Sequence, residues 1–130
     1  MSEPRRRERI DRPHRLRANR DFQRVKLGGK AFRGHCCLVL ALATPDEPTR
    51  VGIITSRRAV GGAVQRNRAR RRLREIVRRR WLRIPEQGWA MVLIAQRAVL
   101  DAPHQDVADE VETLLGAAGI LAPPALGEGS

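Results

Sequence analysis

The stretch from Arg57 to Arg83 decides most of what this chain can become. It holds twelve arginines and one acidic residue, Glu75, and so carries nearly all of the chain's net charge of +12. Within it, Ala69, Leu73, Ile76, Val77 and Arg80 recur at i, i+4, i+7, i+8 and i+11, one wall of a 3.6-residue helix. Asn67, Arg71, Arg74 and Arg78 fall on a second line, with Arg68, Arg72 and Arg79 beside it. A core must cover the wall while the guanidinium lines stay in solvent, which predicts an amphipathic helix at the surface. Glu75 is the only acidic residue within i, i+4 reach, for Arg71 or Arg79. A helix charged in this way repels itself in water, and a polyanion relieves it.

The charge is graded along the chain. Residues 1–56 hold 13 basic and 6 acidic groups, whereas residues 84–130 hold one basic and seven acidic ones, so the last third faces away from a polyanion. Arginine outnumbers lysine, which occurs only at Lys26 and Lys30. Its planar fork suits phosphate and stacked bases, although a GC-rich genome produces the same bias. At 130 residues with 42% apolar content, the chain is sized for one domain with a modest core. No apolar run approaches a membrane span, no secretory signal is evident, and a cytoplasmic, non-membrane protein is expected. Cys36 and Cys37 are adjacent and point to opposite faces of a strand, so they read as small buried hydrophobes rather than a disulfide or metal pair.

Taken in order, residues 1–15 carry two prolines and dense charge with no apolar face, and are expected to form a disordered basic arm. Asn19 and Asp21 open a short helix with Phe22 and Val25 on one side, closed by Gly28-Gly29. Residues 30–33 add a short strand or enter the next one. Runs 34–43 and 50–55 read as strands joined by a Pro- and Asp-containing loop, which predicts an antiparallel hairpin. Gly61-Gly62 precede the basic helix and Pro85 follows it. Trp89 to Ala95 reads as a central strand, apolar on both faces. Arg97 follows it, as either a surface charge or a neighbour of a ligand cleft. Asp101 and Pro103 open a last helix with Val107, Val111, Leu114 and Leu115 in one stripe, which Gly116 can end. The domain is expected over 16–117, with a flexible tail over 118–130.

Ser56-Arg57-Arg58-Ala59-Val60-Gly61-Gly62-Ala63-Val64-Gln65-Arg66-Asn67-Arg68-Ala69-Arg70-Arg71-Arg72-Leu73-Arg74-Glu75 resembles the signature of the bacterial ribonuclease P protein subunit. The resemblance implies an α+β two-layer sandwich of the ribosomal-protein-S5-domain-2-like type, in the order αβββαβα. It also implies a left-handed βαβ crossover through the basic helix, against the usual right-handed rule. It implies binding to a catalytic RNA and to the 5′ leader of precursor tRNA, one protein per RNA, in an endoribonuclease whose catalytic centre lies in the RNA. Mg²⁺ is then held mainly by the RNA, with no cofactor bound to the protein. By resemblance and charge geometry, Arg66, Asn67, Arg68, Arg71, Arg72 and Arg74 face the catalytic RNA, the alternatives being a local structural anchor for Arg66, which lies nearer the apolar wall, and a solvated position for Arg74. Phe22, Lys26, Arg57 and Arg58 line the leader cleft. Lys26 stands where the family carries a second cleft aromatic.

The residues supply no nucleophile, carboxylate pair or metal cluster of their own. A structural RNA-binding protein explains the charge but not the twenty-residue match. A helix-turn-helix DNA binder lacks its first helix, and a protein-only nuclease lacks its acids.

Overall fold

The computed structural model describes residues 15, 16 and 19–121. Its elements are α1 (Asn19–Gly28), β1 (Lys30–Arg33), β2 (Cys37–Pro48), β3 (Arg50–Ile54), α2 (Ala63–Arg79), a 3₁₀ turn at Trp81–Arg83, β4 (Gln87–Ala95), α3 (Ala98–Asp101) and α4 (His104–Ala117). One four-stranded sheet has the order β1-β2-β4-β3, with β2 antiparallel to both β1 and β4, and β3 parallel to β4. The α+β class and the order of elements are as expected, the short α3 being additional.

The expected β2–β3 hairpin does not form. Only Thr49 separates the two strands in sequence, yet β4 lies between them. The reason is burial. Ala90 to Leu93 and Ala95 are all buried, and a strand apolar on both faces is covered best at the centre of a sheet. β3 is left at the edge, where Leu16 N–H donates to the Val51 carbonyl.

Each face of the sheet has its own apolar cluster. Val39, Ala41, Val51, Met91, Leu93 and Ala95 point toward α2 and α4, while Leu40, Ala90 and Val92 point toward α1. The basic helix packs through Ala69, Leu73, Ile76 and Val77, all fully buried. Burying each larger member stabilises by about 1.5–3 kcal/mol, whereas an exposed like-charge pair one turn apart costs a few tenths. Packing therefore wins, and the arginine surface is tolerated. Arg80, last on the predicted wall, is accommodated because Glu112 of α4 meets it at 2.8 Å.

The boundary of the domain moves. Ile120 and Leu121, assigned by composition to the tail over 118–130, are 1% and 7% exposed and belong to the core. The helix runs past Gly116 to Ala117, and Gly119 makes the reversal at φ +84°. Ile120 N–H then reaches back to the Leu115 carbonyl at 2.9 Å, returning two apolar side chains to the sheet. Of the arm expected over 1–15, Arg15 bridges to Val51; the rest lies outside the described residues, as does 122–130.

Candidate nucleic-acid interface

The twelve arginines divide into engaged and open groups. At the end of α2, Arg78 and Arg79 close on Glu75 at 2.6 and 2.9 Å, and Arg80 and Arg83 close on Glu112 at 2.8 and 3.3 Å. Glu75 thus serves Arg79 as expected but takes Arg78 in place of Arg71. Further back, the Arg70 guanidinium donates to Asn67 Oδ1 at 3.2 Å and to Thr55 Oγ1 at 2.7 Å, tying α2 to the end of β3. Arg72 is also tied: its Nη1 donates to the carbonyls of Val99 and Ala102 at 2.7 and 2.8 Å. That atom holds α3 to α2, so Arg72, grouped by sequence with the RNA-facing residues, is first a structural link.

Arg57, Arg58, Arg66, Arg68, Arg71 and Arg74 have no side-chain hydrogen bond or ion pair among the described residues. All six were singled out from the sequence. Asn67 is exposed beside them, with its amide N–H groups free to donate. The open charge therefore runs from the turn before α2 along the helix as far as Arg74. Arg74 also lines a cavity of about 120 Å³ with Arg15, Phe22 and Gly52. Burial, and then the charges of Arg15 and Arg70, push its guanidinium pKa down. A positive group held beside two others favours an anionic neighbour.

The carboxylates make the closed half sensitive to acid. Arg78 first, and then Arg79, holds the Glu75 carboxyl at about 2 against an ordinary 4.5. Arg83 first, and then Arg80, lowers that of Glu112. A depressed carboxylate pKa stabilises the fold above its unfolded value, and the gain is lost as pH falls through the folded value. Stability should therefore fall between about pH 4.5 and 2. Both acids are partly exposed, so the change is modest. Urea midpoints measured across that range should decline less in a Glu75→Gln/Glu112→Gln variant. An equal decline would place the acid sensitivity elsewhere.

The second part of the site lies on the α1 face of the sheet. Cross-strand register places Leu38, Ile94 and Ile54 in one row, and Leu40, Val92 and Gly52 in the next. Phe22 lies over Gly52, so close that a Cβ there would come within 2.6 Å of the ring. Helix α1 covers this second row, leaving Leu40 and Val92 buried. The first row is only half-buried, an apolar floor open beside Phe22. Lys26 is exposed one turn after Phe22, and Arg57 and Arg58 are exposed just beyond the strand end that carries Ile54. The four predicted cleft residues thus come from the two elements that flank this floor.

The floor itself, Gly52 and the Arg70–Thr55 link were not legible as site features. Period-two alternation shows that Leu38, Ile54 and Ile94 share the face of Leu40 and Val92, but not that α1 stops short of them. Arg97, left open between surface charge and cleft neighbour, donates to the Val60 carbonyl at 2.8 Å and braces the turn into α2. No three His, Cys, Asp or Glu side chains gather to hold a metal ion among the described residues. No helix among them is long and apolar enough to cross a membrane.

Comparison with known proteins shows the family and agrees with the fold. Residues 10–119 match the Ribonuclease P protein-family model. A ribonuclease P protein component from Symbiobacterium thermophilum is 40% identical over 113 residues, covering 86% of this chain and 96% of that one. The solved RNase P protein from Thermotoga maritima superposes with a TM-score of 0.69 at 30% identity, over 79% of this chain and 96% of that one. A mutant of the Staphylococcus aureus RNase P protein gives 0.74 at 26%, over 83% and 90%.

Proposed function

The chain belongs to the ribonuclease P protein family, and from that premise we propose that it is the protein subunit of a ribonuclease P that removes the 5′ leader of precursor tRNA. The single observation that carries the reading is the division of the arginines. Those at the end of α2 and just beyond it pair with acids, while Arg66, Arg68, Arg71 and Arg74 stay open along the helix before them, with Asn67 among them. That surface docks on the catalytic RNA, its guanidinium groups pairing with phosphates. Arg72 supports the surface by holding α3.

The open row beside Phe22 takes the single-stranded leader. Bases lie on Leu38, Ile94 and Ile54 and against the Phe22 ring, while Lys26, Arg57 and Arg58 meet the phosphates. A stacked base contributes about 1–3 kcal/mol where an aromatic is present. With Lys26 in place of a second ring, more of the affinity here comes from charge. Among the described residues no three His, Cys, Asp or Glu side chains gather as metal ligands, and the steps assigned to this chain need no metal of its own. Its work is to bind, orient and neutralise, and Mg²⁺ belongs to the RNA.

Reconstitution tests the reading. The purified chain, a bacterial ribonuclease P RNA and a precursor tRNA at low Mg²⁺ should release the 5′ leader, and omission of either macromolecule should abolish or sharply slow cleavage. Replacing Arg68 and Arg71 with alanine should leave the unfolding midpoint unchanged. It should reduce the log–log salt slope of RNA binding by about 0.7–0.9 per lost contact. A folded protein that stimulates no RNA would be a basic RNA-binding domain of another kind. An unchanged slope would move the RNA face off α2.

A further inference from the structure

The open row extends one residue beyond the apolar floor. In the β1–β2 register, Arg33 stands opposite Leu38, which pairs with Ile94 and through it with Ile54. Directly opposed residues of antiparallel strands share a face. Phe32, the neighbour of Arg33, packs into the α2/α4 cluster, so Arg33 projects on the α1 side. It is exposed and has no side-chain partner among the described residues. The row therefore reads Arg33, Leu38, Ile94, Ile54 across all four strands, with Arg57 and Arg58 beyond its other end.

We propose that Arg33 holds a phosphate of the leader at the far side of the sheet and sets how many leader nucleotides the protein senses. This rests on the leader-binding reading above. Three strand spacings of about 4.8 Å separate the ends of the row. A four-stranded sheet carries about two or three bases in other RNA-binding folds. Cations at both ends and an apolar floor between them match a single strand lying across the strands, bases down and phosphates toward the rims. A partner helix or a second protein copy would not need the paired cations. A leader ending before β1 cannot reach Arg33, so the residue acts only on substrates whose leader crosses the sheet.

Lys30 provides the control, being an exposed cation on the same strand that shares the Phe32 face rather than the Arg33 face. Holoenzymes reconstituted with wild-type chain, Arg33→Ala, Arg33→Lys and Lys30→Ala would be compared for affinity. Two precursor tRNAs would be used under non-cleaving conditions, one with a long leader and one whose leader is too short to cross the sheet. Arg33→Ala should weaken only the long-leader complex, roughly five- to tenfold, with its salt slope lower by about 0.7. Arg33→Lys should restore most of the affinity, and Lys30→Ala should behave as wild type. Equal weakening on both substrates, or an equal effect from Lys30→Ala, would overturn the proposal, since loss of net charge would then explain it. If the wild-type holoenzyme does not distinguish the two leaders, the leader-binding reading fails and this inference falls with it.

Discussion

Glu110→Ala is expected to destabilise the domain by about 2–5 kcal/mol, more than removal of any open arginine. The Glu110 carboxylate reaches from α4 to the turn between β1 and β2. There it accepts main-chain N–H groups from His35, Cys36 and Cys37 at 3.1, 2.7 and 2.9 Å. Alanine leaves three donors without an acceptor, and two of those bonds are partly buried. Each buried orphan costs about 1–3 kcal/mol, with water recovering part of it at exposed His35. Glu110→Gln should cost far less, because its amide oxygen can still serve Cys36 and Cys37. Urea unfolding checks the order wild type, Gln, Ala. An alanine variant within about 0.5 kcal/mol of wild type would mean that water already serves the turn. A second readout is the thiol of Cys37, raised to about 12 by burial and then by Glu110. It should resist alkylation at neutral pH in the wild type and yield faster in Glu110→Ala, whose turn opens more often. The side chain also leaves no room at Gly34, where a Cβ would collide with the carboxylate.

The second large effect couples fold and leader cleft. A methyl at Gly52 would lie 2.6 and 2.7 Å from Phe22 Cε1 and Cζ, and 3.1 Å from Leu16 Cβ. The ring rests on the sheet only because the strand has no side chain there. Gly52→Ala should cost about 1–3 kcal/mol by overpacking, and α1 must lift to relieve it. Phe22→Ala should also destabilise, by less than a fully buried Phe because the ring is half-exposed. In the Phe22→Ala background the added methyl has room, so most of the Gly52→Ala penalty should vanish. That non-additivity is the signature of direct contact. On function, Gly52→Ala should weaken precursor-tRNA binding by the holoenzyme more than it weakens affinity for the catalytic RNA, since of the α2 arginines only Arg74 shares the cavity of Phe22 and Gly52. Additive penalties in the double variant would show that the ring does not depend on Gly52.

Much of this molecule follows from local sequence. The positions of Ala69, Leu73, Ile76 and Val77 determine which side of α2 is buried, because a 3.6-residue period leaves one apolar wall whatever covers it. The stripe of Val107, Val111, Leu114 and Leu115 does the same for α4, and the doubly apolar run of β4 requires a central strand. The same period marked Arg68, Arg71 and Arg74 as outward-facing, and they are exposed; Arg66, nearer the apolar wall, is half-buried.

What the tertiary structure alone decided is which element meets which. Local turn chemistry favours pairing β2 with β3, but β4 arrives from far along the chain and buries more apolar surface by entering between them. Arg72 and Arg68 lie on one helical line, yet only Arg72 meets the carbonyls that end α3. Arg80 and Arg83 have no acidic neighbour along their own helix until α4 brings Glu112 beside them. Ile120 and Leu121 sit in a composition that reads as tail, and Gly119 turns them back into the core. Periodicity along one element reports which face is buried. The partners of that face, and of each charge at its rim, depend on segments far apart in sequence that meet only when the core closes.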